Sequence, residues 1–181
     1  KYVYIKDDEN FSITIMEFYD LDENYKYLLV GTTNSKIYLL DFINYEITNV
    51  FNKYGKTPIQ YLIWLNDQPG SFISINEKIG RYAKWNVSRS NYTSIGKISD
   101  FNLTSCAKFD NNTSNFLVTN GIGEVAIIDI INSKNSFQIK DSHNQCIYDL
   151  KINPNNDDLF ITGSFDGNIK LYSIKNNYSL I

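Results

Sequence analysis

Cysteine and methionine are scarce in this chain, and each further absence narrows what it can be. Two cysteines, Cys106 and Cys146, are too few for a disulfide framework or a thiolate metal site. They are expected as free thiols in a reducing compartment. No stretch approaches the ~20 consecutive apolar residues of a membrane helix. The first residues, KYVYIKDDENF, do not resemble a secretory leader. Together these features point to an intracellular protein, cytoplasmic or nuclear. No long basic run occurs and the formal charge is −3, which disfavours binding nucleic acid by phosphate neutralisation. Glycosylation sequons such as Asn91-Tyr92-Thr93 do occur, as chance provides in a chain so rich in asparagine.

Tyr, Phe and Ile are plentiful instead, and that composition favours strand over helix. The stretch His143–Ile174 shows the pattern most plainly. Its runs Ile147–Ile152, Leu159–Ser164 and Asn168–Ile174 alternate apolar and polar residues. Asn153-Pro154-Asn155-Asn156 separates the first two, and Asp166-Gly167 the last two. Period-two runs bounded by such clusters predict antiparallel strands joined by tight turns. Asp-Gly is a hairpin signal because glycine adopts positive φ without penalty.

The same unit recurs. Phe18, Trp64, Phe109 and Ile152, near the ends of first strands, are spaced 46, 45 and 43 residues apart. Leu40, Trp85, Ile128 and Tyr172, near the ends of third strands, are spaced 45, 43 and 44 apart. Two independent anchors with one period near 44 predict four copies of one supersecondary unit. First strands share a spacing of three then two: Ile13-x-x-Met16-x-Phe18, Ile59-x-x-Leu62-x-Trp64, Thr104-x-x-Ala107-x-Phe109 and Ile147-x-x-Leu150-x-Ile152. Second strands are predicted at Tyr27–Thr32, Ser71–Ile75, Asn115–Thr119 and Leu159–Ser164. Third strands are predicted at Lys36–Asp41, Arg81–Asn86, Glu124–Asp129 and Asn168–Ser173. Ser35, Gly80, Gly123 and Gly167 sit in the turns before the third strands. Weaker outer strands follow at Ile47–Asn52, Thr93–Lys97, Phe137–Lys140 and Tyr178–Ile181.

The last unit resembles a WD repeat, the blade of one β-propeller family. His143 falls at the His of that repeat's Gly-His pair, Asp166 at its turn Asp, and Ser164 at the Ser two residues earlier. Tyr172-Ser173 stands where the Trp-Asp pair would be. The resemblance implies an all-β propeller with four blades in this chain, over 11–52, 57–97, 103–140 and 146–181. It places residues 1–6 as a strand of a preceding blade, within a propeller of about seven. A closed ring of four is the alternative. The resemblance also implies that His143, Ser164, Asp166 and Tyr172 form a buried hydrogen-bonded chain. Blade one keeps Thr32 and Asn34 but has Leu40 at the aromatic position. Blade two keeps Trp85 but has Ile79 at the turn Asp. Blade three has Ile122 and Ile128 at those two places.

The resemblance further implies a non-enzymatic docking platform for proteins or peptides, within a larger assembly and with no cofactor or metal. In the family, partner contacts gather at the residue before the turn Asp. Here that gives Thr33, Lys78, Gly121 and Phe165, with Asn144 and Gln145 beside His143. Rival chemistries leave little trace. His143 as a base lacks a Ser-His-Asp or Cys-His signature. Gly121-Ile122-Gly123 is too short for a phosphate loop. The acidic clusters Asp7-Asp8-Glu9 and Asp20-Leu21-Asp22-Glu23 lack the ligand spacing of a calcium loop. An RNA-associated propeller subunit is the alternative function, and a propeller hydrolase a more distant one.

Overall fold

The structure is a computed structural model. It describes residues 3–6, 10–19, 26–52, 57–65, 68–76, 81–89, 91–97, 103–108, 115–129, 134–139 and 142–181. Every regular element among them is a β-strand. Sheet one comprises β1 (Ile13–Tyr19), β2 (Tyr27–Thr32), β3 (Lys36–Asp41) and β4 (Glu46–Asn52). Sheet two comprises β5 (Ile59–Trp64), β6 (Ser71–Asn76), β7 (Arg81–Asn86) and β8 (Ser94–Lys97). Sheet three comprises β9 (Leu103–Lys108), β10 (Asn115–Asn120), β11 (Val125–Asp129) and β12 (Lys134–Ile139). Sheet four comprises β13 (Ile147–Ile152), β14 (Leu159–Ser164), β15 (Ile169–Ser173) and β16 (Ser179–Leu180). Each is a meander in which consecutive strands are neighbours.

The spacing of three then two in the first strands has a structural cause, although in sheet three the pairing sets Leu103 and Cys106, rather than the expected Thr104 and Ala107, at the places of Ile147 and Leu150. At the start of each one the register slips by a residue: between Ile13 and Ile15, Ile59 and Tyr61, Leu103 and Ser105, and Ile147 and Asp149. A bulge adds one residue to one strand and so shifts the phase of its side chains. Ile147 and Leu150 therefore face the same side although three apart, and both are buried. Ile59 and Leu62 do the same. Turn chemistry repeats as well. Ser35, Gly123 and Gly167 all have positive φ before their third strands. Gly80 lies outside the described residues, as do Phe109 and the acidic clusters at 7–9 and 20–23.

The chain divides into two compact units, one built on sheets one and two, the other on sheets three and four. In the first unit, Leu29, Ile37, Leu39 and Phe51 pack on Ile59, Leu62, Trp64, Phe72, Ala83 and Trp85. The aromatic rings there interlock, with Phe51 edge-on to both Phe72 and Trp85. In the second unit, Leu117, Val125, Ile127 and Ile139 pack on Ile147, Leu150, Phe160 and Tyr172. Each such side chain withdrawn from water contributes about 1.5–3 kcal/mol, which makes these faces the main source of cohesion.

One element departs from expectation. Residues 3–6 are not a strand. Their alternation serves packing instead: Val3 and Ile5 lie against Leu28, Val30, Tyr38 and Leu40 of sheet one. Tyr4, out of phase, is 85% exposed.

Candidate functional site

The polar centre of sheet four is built by the segment before β13 and the β14–β15 turn. Gly167 in that turn takes φ 82° and lets the chain reverse directly after Asp166. The Asp166 carboxylate receives the Asn168 N–H at 2.9 Å and the Asn144 N–H at 3.2 Å. His143 Nδ1 lies 2.9 Å from Asp166 Oδ2, and the imidazole side chain is wholly buried. Burial of the carboxylate acts to raise its pKa. Hydrogen bonds from Asn168, His143 and Asn144, with the attraction of His143, outweigh that and hold Asp166 well below the usual carboxylate range. An ionised carboxylate only accepts, so His143 Nδ1 donates to it.

The other ring nitrogen, Nε2, lies 2.8 Å from the Thr162 hydroxyl. Here the structure corrects the expected chain. The hydroxyl on His143 belongs to Thr162, and Ser164 has another task. Ser164 Oγ bonds to Cys146 O at 2.9 Å and accepts the Asp166 N–H at 3.2 Å, fastening the turn to the segment before β13. The reason is geometric: Thr162 sits one rung further into the sheet, pairing with Leu150 and Lys170, where the buried ring lies. Tyr172 joins through its own hydroxyl, which donates to Ser142 O at 3.2 Å. Burial raises the Tyr172 pKa and the nearby Asp166 charge adds to this, against a lowering by Thr162.

The other sheets keep different fragments. In sheet two, Trp85 Nε1 donates to Ser74 Oγ at 2.8 Å, deep in the core. Ser74 holds the place of Thr162, and that alignment of second strands was the available sign that Thr162 carries the hydroxyl. In sheet one, Thr32 Oγ1 donates to Asn34 Oδ1 at 2.6 Å. In sheet three, Asn120 Oδ1 receives the N–H groups of Ile122 and Glu124, so a side chain one position before the turn replaces the turn Asp. Ile79 lies outside the described residues.

Phe165 is 57% exposed, and its ring stands edge-on to Tyr148 with centroids 4.0 Å apart. Tyr148 is itself exposed on the outward side of β13, a position that its place between buried Ile147 and Leu150 signals. The Phe165 N–H bonds to Cys146 O at 3.0 Å. Asn144 and Gln145 are exposed beside it, Asn144 through its N–H on Asp166 and Gln145 through its carbonyl under Ser164 Oγ. Phe165, Tyr148, Asn144 and Gln145 thus share one end of sheet four. Thr33 is half-buried in the first unit, tied to Ser12 by two hydrogen bonds. Gly121 is half-buried in the β10–β11 turn, and Lys78 lies outside the described residues.

The arrangement offers little for catalysis. Both nitrogens of the only histidine are engaged and the ring has no access to solvent. Burial pushes the Cys106 thiol up to about 12, which removes it as a thiolate nucleophile near neutral pH. Among the described residues no cluster of three or more His, Cys, Asp or Glu side chains could hold a metal. Among them, too, no helix is long and apolar enough to cross a membrane.

No family model matches the chain. Solved structures do. A chain of the crystal structure of the mitotic checkpoint complex superposes with a TM-score of 0.69 at 14% identity, over 88% of this chain. This chain spans about half of that one, 51%. The computationally designed Ika4 protein gives 0.70 at 13% identity, covering 96% of this chain and 98% of its own. The fold is a β-propeller. A second designed propeller, Ika8, gives 0.67 at 15% identity and is covered over 46% of its length. In propeller terms the four sheets are blades, and the Asp166–His143 pair ties the loop entering blade four to that blade's own hairpin.

Proposed function

We propose that this chain is a non-enzymatic docking platform of the WD-repeat kind, acting within a protein assembly. The observation that carries the reading is the pairing of Phe165 with Tyr148. Two large aromatics, each more than half exposed, stand edge-on at the end of a blade whose loop is held by part-buried hydrogen bonds. Rigid exposed aromatics anchor interfaces because they bury much area at small entropic cost. The polar groups of Asn144 and Gln145 beside them supply a rim. One of the structures that share the fold belongs to a protein complex, which is in keeping with a protein partner. The blades at 11–52, 57–97, 103–140 and 146–181, inside an intracellular propeller, complete the proposal.

The test is affinity capture with the whole chain, comparing wild type with Phe165→Ala and Tyr148→Ala. Both substitutions are expected to release the same partner while leaving the melting temperature unchanged. If the captured partner stays and only stability falls, the pair is packing and the docking assignment fails. Binding that weakens steeply with salt and requires RNA would replace the platform with the RNA-associated alternative.

A further inference from the structure

Asparagine is abundant in this chain, yet a single Asn-Gly pair occurs in it, Asn120-Gly121. The pair opens the turn between β10 and β11. An asparagine before glycine readily loses its side-chain amide, because no Cβ shields the backbone nitrogen that attacks it. This turn presents the reacting atoms. Asn120 Oδ1 receives the N–H groups of Ile122 at 3.2 Å and Glu124 at 2.8 Å, which folds the side chain over the backbone that follows it. That oxygen gains negative charge during attack on its carbon, and fixed N–H donors stabilise such charge. The Gly121 N–H, the attacking group, makes no hydrogen bond among the described residues. Ile122, next along, is 70% exposed, so the turn borders solvent.

The leaving group restrains the reaction. Asn120 Nδ2 donates to Glu124 Oε2 at 2.7 Å, and the residue is only 3% exposed. Departure of the amide nitrogen therefore waits for the turn to open locally. The same 2.7 Å contact sets the consequence, because the side chain that replaces the amide must face the Glu124 carboxylate without a proton to offer it.

We propose that Asn120 is a site of spontaneous deamidation, and that losing its amide releases the loop ahead of blade four. Gly121 N bonds to Asn120 Cγ and gives up its proton. The Cγ–Nδ2 bond breaks, and the amide nitrogen departs with that proton as ammonia. Water then opens the five-membered imide at either carbonyl, leaving aspartate or its β-linked isomer at position 120. Nothing is oxidised or reduced. The product places a carboxylate against Glu124 where Nδ2 stood, and like charges so close repel. The Gly123 N–H bonds to the Asn120 carbonyl at 3.4 Å, and the Gly123 carbonyl holds the His143 N–H and the Ser142 hydroxyl. A turn pushed apart at Asn120 therefore slackens the segment of His143, Asn144 and Gln145. The modification and its effect on the loop stand on this turn alone and are independent of the docking assignment.

Ageing of the whole folded chain in mildly alkaline buffer tests the chemistry. Peptide mapping by mass spectrometry is expected to find Asn120 converted, with isoaspartate among the products. Gly121→Ala, which shields the attacking nitrogen, is expected to lose most of that conversion. Asn120→Asp stands in for the aspartate product. It is expected to lower the melting temperature and to speed exchange of the His143 amide proton with solvent. Adding Glu124→Gln should restore both, since a glutamine amide can donate to the new carboxylate. An Asn120 that stays intact in the folded chain, over a time in which the urea-denatured chain loses that amide, overturns the proposal. So does Asn120→Asp with unchanged His143 exchange, or a double variant no better than Asn120→Asp.

Discussion

Blades two and four carry the same frame and satisfy it differently. In both, a buried ring on the third strand stacks on a phenylalanine of the second: Trp85 on Phe72 at 13°, Tyr172 on Phe160 at 11°. In both, a hydroxyl lies two residues beyond that phenylalanine, Ser74 in one and Thr162 in the other. The indole N–H ends close to its ring and meets Ser74 directly. The phenol hydroxyl reaches further and finds the Ser142 carbonyl, while Thr162 meets His143. Blade two meets its indole inside the sheet, and Asn76 at the end of the second strand donates to the Thr57 carbonyl in the loop before the blade. Blade four brings in an imidazole from the preceding loop, and through it an acid in the turn.

The largest effect is expected where that recruitment is severed. Asp166→Ala leaves a buried imidazole N–H and the Asn168 and Asn144 amides without their acceptor. The melting temperature should fall by roughly 5 °C or more. Asn34→Ala, at the matching place in blade one, should fall by much less, and equal shifts would remove the special status of blade four. The same carboxylate sets a pH dependence. Its folded pKa is depressed, so its contribution is complete above the unfolded carboxylate pKa of ~4. The contribution is lost as pH falls through the lower folded value. Asp166→Asn should flatten the acid limb of a stability–pH curve, and an unchanged limb would mean that other carboxylates govern it.

Smaller changes sharpen the contrast between the two hydroxyls. Thr162→Val removes the partner of His143 Nε2 and should cost about 1–3 kcal/mol in denaturant unfolding. Ser74→Ala strands only the Trp85 N–H and should fall at the lower end of that range. A result with Ser74 the costlier would place the tighter centre in blade two. The least effect is expected from Trp64→Phe. Its buried Nε1 has no hydrogen-bond partner among the described residues, so losing the N–H removes an unsatisfied group and offsets part of the lost packing. Trp85→Phe, which orphans Ser74, should be clearly worse by the same measurement.

Much of the architecture was legible because it repeats. The strands Tyr27–Thr32, Lys36–Asp41, Arg81–Asn86, Ile147–Ile152 and Leu159–Ser164 lie where alternation and turn residues put them. Even the bulge is written into the spacing of Ile147 and Leu150, although only pairing reveals why three residues separate them. Thr162 was not legible in the last repeat alone, since Thr162 and Ser164 share one face and alternation cannot say which meets a ring from another segment. Tyr148 escaped for another reason: alternation tells that a side chain points outward, not that a turn residue will lean against it. Residues 3–6 alternate like a strand and are not one, because one-sided packing on a sheet rewards the same pattern.

Gly123 has a consequence for how the molecule breathes. It takes φ 95°, and a side chain there would collide with the backbone carbonyls of His143 and Gln145. Its own carbonyl accepts the His143 N–H at 2.9 Å and the Ser142 hydroxyl at 2.5 Å. The hairpin of blade three therefore holds the loop from which blade four draws its imidazole. Exchange of the His143 amide proton with solvent requires the Gly123 carbonyl to let go, and that frees the imidazole's segment at the same moment. Blades three and four should thus open as a single cooperative step, with the amides of the β10–β11 turn and of the His143 loop exchanging at one common rate.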